Sequence, residues 1–94
     1  MKIIRMTYSF WFDRLYVSKP FEVIKETEKC YYIDDTYRYL KSEVGEPIIK
    51  YCNDDPYVDL KMIDTDEETM KKVMAGWFQD KIDKIMHGVN RDEN

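Results

Sequence analysis

Residues 58–78 read VDLKMIDTDEETMKKVMAGWF, and the spacing of apolar residues changes within this run. Val58, Leu60 and Met62 alternate with charged residues, which is the period of a half-buried strand. From Met70 onward the apolar residues recur at helical spacing instead. A strand therefore passes directly into an amphipathic helix.

The boundary between strand and helix carries a capping signal. Thr65 with Glu68 three residues later forms a capping box, and the acidic residues between them favour the positive end of the helix dipole. Gly88 is suited to a helix C-terminus, so we expect a helix over 66–87, with a frayed tail over 90–94. His87, the only histidine, then caps the helix end as a cation.

The apolar stripe of this helix drifts along its length. Its first members centre near Met70, whereas Ile82, Ile85 and Val89 lie further round the helix. Two interpretations are open. The helix bends around a twisted sheet, or its last two turns contact something else, such as a second copy of the chain.

The first two thirds of the chain have the pattern of strands. Residues 2–12 alternate with the apolar side chains on one face, and 15–17 continue as a short return strand. Residues 21–26 and 29–33 are typical of a hairpin, 37–41 is rich in strand formers, and 48–51 is a short apolar piece. The fold class predicted is α+β, one antiparallel sheet of about four to six strands with one long C-terminal amphipathic helix, in a single domain over 1–89.

Composition limits the functional classes. Fourteen of the 94 residues are aromatic and eight of these are Tyr, so some rings must lie at the surface, either because Tyr suits strands or because it serves an interface. The net charge of −4 argues against direct nucleic-acid binding. Without a signal peptide or an apolar span, we expect a cytoplasmic protein, not a membrane protein, with Cys30 and Cys52 as free thiols.

No catalytic or metal-binding constellation is present in the sequence. The single histidine and two cysteines lack the number and spacing of a zinc site, and the three glycines form no phosphate-binding loop. The acid pairs Asp34 with Asp35 and Asp54 with Asp55 lie in turns, where local backbone bonding explains them. We therefore expect no enzyme, no metal and no cofactor.

The imbalance of charge is concentrated in residues 54–68, where seven carboxylates stand against Lys61 alone. This segment has three interpretations. It is a solvated rim, it is a surface that meets a basic partner, or Asp54, Asp55 and Asp59 bind a hard cation.

Two runs carry a resemblance, VIKETEKCYY from Val23 and YRYLKSEVG from Tyr37. They resemble a segment of small uncharacterised proteins of phages and mobile elements in gut Firmicutes. The resemblance implies a habitat in which small, acidic, Tyr-rich proteins often inhibit bacterial defence, anti-CRISPR proteins among them. It implies no functional residue.

Two functions follow as hypotheses. The first is a non-enzymatic binding protein, a monomer or homodimer of the bacterial cytoplasm, that inhibits a defence protein with a basic surface. Its expected contact residues are hairpin tyrosines and exposed acids: Tyr32, Tyr37, Tyr39, Asp34, Asp35, Asp54, Asp55 and Asp59. The alternative is a module in which rings stack a nucleotide-type ligand while Arg38 and Lys41 hold its charge.

Overall fold

The computed structural model describes residues 1–88. The fold is α+β, as predicted, with strands first and one helix last. The strands are β1 Lys2–Ser9, β2 Arg14–Val17, β3 Phe21–Glu22, β4 Lys25–Glu26, β5 Cys30–Tyr32, β6 Arg38–Leu40, β7 Ile48–Cys52 and β8 Asp55–Ile63. A short 3₁₀ turn covers Lys41–Glu43, and α1 covers Glu67–His87. Val89 and the predicted tail over 90–94 lie outside the described residues.

The strands form two antiparallel sheets rather than the single sheet expected. In the larger sheet the order is β2-β1-β8-β7, and β3 pairs with β1 beyond the end of β2. β1 and β8 are central, and their register places Met6 opposite Leu60. The smaller sheet has the order β4-β5-β6. The predicted hairpin over 21–33 is therefore divided, since its first strand pairs with β1 and only Lys25–Glu26 pairs with β5.

The core lies between α1 and one face of the larger sheet. Its buried side chains come from alternate positions of β1 and β8 and from two helix positions: Ile4, Met6, Val58, Leu60, Met70 and Met74. Trp77 and Phe78 are half-buried against this cluster, with their rings edge to face at 5.0 Å. The alternation seen in the sequence thus identifies the face that binds the helix.

The last two turns of α1 project beyond this core. Ile82, Ile85 and Met86 are all exposed, so the interpretation that the helix bends to keep its stripe on the sheet is wrong. Contact between this part of the helix and a second copy stays a prediction.

The N-cap and the first residue of the helix both lie one residue later than predicted. Asp66, not Thr65, is the N-cap, and its carboxylate accepts a hydrogen bond of 2.7 Å from the backbone N–H of Thr69. The capping box centred on Thr65 is therefore wrong, because the backbone turns at Asp64, which has φ +48°, and enters the helix only after Asp66. The predicted end at His87 is confirmed.

Candidate functional site

The larger sheet has a second face, opposite the helix, and this face is polar beyond the apolar pair Ile3 and Ile63 at one end. Because neighbouring side chains of a strand point to opposite faces, the odd-numbered residues of β1 and β8 share it. We call the polar face the surface formed by Arg5, Thr7, Ser9, Tyr57, Asp59 and Lys61, with Tyr16 of β2 and Lys50 of β7 beside them. The smaller sheet covers one end of the polar face and leaves the other end open.

Asp59 is the centre of an ion-pair network at the covered end. Its side chain is 1% exposed, and one carboxylate oxygen accepts a hydrogen bond of 2.6 Å from Arg5 Nε. Lys61 Nζ lies 2.7 Å from the other oxygen and forms an ion pair with it. Lys50 Nζ is 3.6 Å from that same oxygen. Burial alone would raise the pKa of Asp59, but contacts with Lys61 and Arg5 lower it overall.

This burial overturns two of the expectations for Asp59. The residue does not belong to an exposed acidic surface, because it is buried among three cations, Arg5, Lys50 and Lys61. It also cannot bind a hard cation together with Asp54 and Asp55, since its oxygens already face ammonium and guanidinium groups. Among residues 1–88, no group of three His, Cys, Asp or Glu side chains is placed to hold a metal ion.

At the open end, the polar face continues into an aromatic groove of about 570 Å³. Two turns lie at this uncovered end, residues 10–13 between β1 and β2 and residues 53–54 between β7 and β8. We define the tip as these two turns together with the flanking residues Asp55 and Tyr16. The groove is lined by rings, hydroxyls and a few charged groups: Arg5, Thr7, Ser9, Trp11, Phe12, Tyr16, Cys52, Asn53, Asp55, Pro56 and Tyr57.

The rings of the tip are exposed. Trp11 is 71% exposed and Phe12 65%, and Tyr16 beside them is also exposed. Asp54 and Asp55 are exposed in the neighbouring turn. The tip therefore joins apolar rings to carboxylates on one surface.

Local hydrogen bonds of side chains hold the turns of the tip in this shape. Asp13 has a positive φ of 51°, and its carboxylate accepts a hydrogen bond from the Tyr8 hydroxyl. Ser9 Oγ accepts a hydrogen bond from the Phe12 N–H at 3.2 Å. Asn53 and Asp54 also have positive φ, a conformation that Asn and Asp tolerate better than other side chains. The turn residues of the sequence thus determine where the rings are held.

The expected hairpin site lies on the smaller sheet, and its members differ in exposure. Tyr37 is 66% exposed at the turn between β5 and β6, whereas Tyr32 and Tyr39 are half-buried. Asp34 is used locally, because its Oδ1 accepts hydrogen bonds from the N–H groups of Thr36 and Tyr37. These bonds lower the pKa of Asp34.

Asp35 is exposed in the same turn. The prediction that turn bonding explains the carboxylate of Asp34 is confirmed. No hydrogen bond or ion pair among residues 1–88 connects this turn to the tip.

Of the two cations expected to hold a ligand, the structure places one beside a cavity. Arg38 borders a pocket of about 320 Å³ between the two sheets, with Arg5 and Lys50 among its other lining residues. Lys41 lies elsewhere. It pairs with Glu26 at 2.5 Å, and its ammonium group is 4.9 Å from the centre of the Tyr31 ring.

Sequence reasoning missed Trp11, Phe12 and Tyr16. The alternation over 2–12 placed Phe12 on the buried face, but β1 ends at Ser9 and the chain turns before Phe12. A signal was present, since three consecutive aromatics, residues 10–12, cannot all point to one face of a strand. Cys30 is buried and Cys52 exposed, and both are free thiols, as expected.

In the described part of the chain no helix is long and apolar enough to cross a membrane.

Comparisons with known proteins assign no relatives. No protein-family model matches the chain, and neither a curated protein nor a solved structure matches it.

Proposed function

We propose that this chain is a non-enzymatic binding protein that engages a protein partner with a basic surface through its tip. The observation that carries the proposal is the exposure of Trp11 and Phe12 in one groove with Asp55, which Asp54 precedes in the chain as a second exposed carboxylate. Burying an aromatic side chain removes about 150–250 Å² of surface from water and is strongly favourable. The exposed indole and phenyl rings do not gain this stabilisation in the free protein. Such rings are the usual anchors of interfaces.

The charge of the tip and the hydrogen bonds of its turns support the same interpretation. Exposed carboxylates next to the rings would steer a basic partner and set its orientation, and they would contribute less to the affinity itself. The turn that carries the rings is held by Asp13 and by Ser9, so the backbone loses little conformational entropy on binding. A preorganised anchor with an acidic rim suits stoichiometric binding rather than turnover.

The partner that fits this chemistry is a larger protein with a basic channel or groove, such as a nucleic-acid-binding protein of bacterial defence. The resemblance of residues 23–32 and 37–45 to phage and mobile-element proteins supports an inhibitor of the anti-CRISPR type, acting in the bacterial cytoplasm. This support is by analogy. We propose no cofactor and no metal for this function.

The proposal is tested by affinity capture from a lysate of the native bacterial host at low ionic strength, followed by titration calorimetry with the purified partner. We expect Trp11→Ala to weaken binding by about 30-fold or more, the size of an interface hot spot. Reversing the charges of Asp54 and Asp55 to Lys should slow association, and added salt should weaken the wild-type complex.

Tyr37→Ala is the matched control, because Tyr37 is an equally exposed ring at the far turn of the smaller sheet. It also tests the alternative contact surface around Asp34 and Asp35. If Tyr37→Ala weakens binding and Trp11→Ala does not, the contact surface is the hairpin and not the tip. If folded variants of both residues bind as the wild type does, or if the purified protein turns over a substrate, the proposed function is wrong.

A further inference from the structure

The pocket between the two sheets is unusual for an acidic chain because its walls are mainly cationic. It has a volume of about 320 Å³. Its lining consists of four cationic side chains, a tyrosine, a leucine and one carboxylate: Arg5, Arg38, Lys50, Lys61, Tyr39, Leu40 and Glu43. A cavity of this size is at the lower end of the range for small-molecule sites.

The charges around the pocket do not balance. Four cations, Arg5, Arg38, Lys50 and Lys61, face two carboxylates, Glu43 and the buried Asp59 beneath them. Two positive charges are therefore left over, in a protein whose net charge is −4. This excess positive charge attracts an anion to the pocket.

The excess positive charge persists at neutral pH. Burial by itself would lower the pKa of Lys50, but its hydrogen bond with Glu43 leaves that pKa raised. The hydrogen bond from Lys50 lowers the pKa of Glu43, and Glu43 therefore stays ionised. Lys50 and Glu43 therefore both remain charged at neutral pH.

Several donors of the pocket are unused. Arg5 donates through Nε to Asp59, and its two Nη groups donate to no acceptor among residues 1–88. Arg38 makes no ion pair with any of those residues. Burial raises the pKa of Tyr39, which keeps its hydroxyl protonated as a further donor. These groups come from both sheets and converge on one cavity.

From this arrangement we infer that the pocket between the sheets binds the phosphate group of a small phosphate monoester. Two guanidinium groups and an ammonium group match the oxygens of a phosphate, because guanidinium donors bind them in parallel pairs. A phosphate monoester carries about −1.5 to −2 charges at pH 7, which balances the two surplus positive charges. Since Arg5 borders both cavities, the organic part of the ligand extends along the polar face toward Tyr57.

The experiment is titration calorimetry in a phosphate-free buffer at low salt, with inorganic phosphate, ribose 5-phosphate, adenosine 5′-monophosphate and uncharged adenosine as probes. We expect saturable binding of the three phosphates and none of adenosine. If adenosine 5′-monophosphate binds more tightly than ribose 5-phosphate, the protein contacts the base of the ligand. If the two affinities are equal, the protein contacts only the sugar and the phosphate.

Arg38→Ala is the diagnostic variant, because Arg38 is exposed and its loss should leave the fold intact. It should weaken phosphate binding by about tenfold or more, the usual effect of losing a charge-assisted hydrogen bond. Lys72→Ala removes the same charge from the exposed surface of α1, on the opposite side of the sheet, and should change affinity by less than about twofold.

The inference is overturned if no phosphate binds saturably, if adenosine binds as well as its monophosphate, or if Arg38→Ala and Lys72→Ala have equal effects. Its failure is separate from that of the proposed function. Trp11 does not line the pocket between the sheets, so Trp11→Ala should leave the affinity for inorganic phosphate unchanged, whereas Arg38→Ala should leave capture of the protein partner unchanged.

Discussion

Removing the carboxylate of Asp59 should destabilise the fold strongly. The change Asp59→Leu leaves Lys61, which is 4% exposed, with Glu43 at 3.6 Å as its remaining ion-pair partner. Breaking a buried ion pair in this way costs about 3–5 kcal/mol, since the surviving charge stays desolvated. Arg5 adds less to the loss, because its side chain is 38% exposed and reaches water.

The magnitude is large relative to the whole stability. A domain of 94 residues has an unfolding free energy of roughly 5–14 kcal/mol, so a loss of about 4 kcal/mol removes more than a quarter of it. The thermal midpoint should fall by about 15–30 °C. Urea denaturation followed by far-UV circular dichroism measures the loss. An unchanged m-value would show that the wild type and Asp59→Leu expose similar amounts of surface on unfolding.

The double variant Asp59→Leu/Lys61→Met is the matched control. Replacing both members of a buried pair by apolar residues is often nearly neutral, so the double variant should be more stable than the Asp59→Leu single variant by about 2 kcal/mol or more. A loss below about 1 kcal/mol for the single variant would mean that water reaches this carboxylate. Strict additivity of the two substitutions would refute the pairing.

Three further predictions concern the core, the helix cap and acid stability. Met74→Ala should cost about 2–5 kcal/mol in urea unfolding, and Trp77→Ala should cost less than a fully buried Trp would, because this ring is only half-buried. Asp66→Ala should lower the thermal midpoint by roughly 2–8 °C while Thr65→Ala leaves it nearly unchanged, and the reverse order would restore Thr65 as the cap. The folded pKa of Asp59 lies below its unfolded value of about 3.9, so its contribution is complete above about pH 5 and is lost as the pH falls through the folded pKa. Acid titration of stability should therefore be steeper for the wild type than for the double variant.

The amino-acid sequence by itself determined the main elements of this protein. Alternation in β1 and β8 identified Met6 and Leu60 as core residues, and the change of period before Met70 located the helix. These features are readable because they are local. A side chain's neighbours at two or four residues along the chain already define which face it shares.

Only the tertiary structure decided what lies on the other face. Alternation placed Asp59 opposite the core, but it could not show that a second sheet covers that side and buries the carboxylate among Arg5 and Lys61. Likewise, the pattern over 2–12 did not reveal that the chain turns after Ser9 and leaves Trp11 in water. A two-residue period separates two faces of a strand, whereas the burial of each face depends on segments distant in sequence, whose packing no local pattern records.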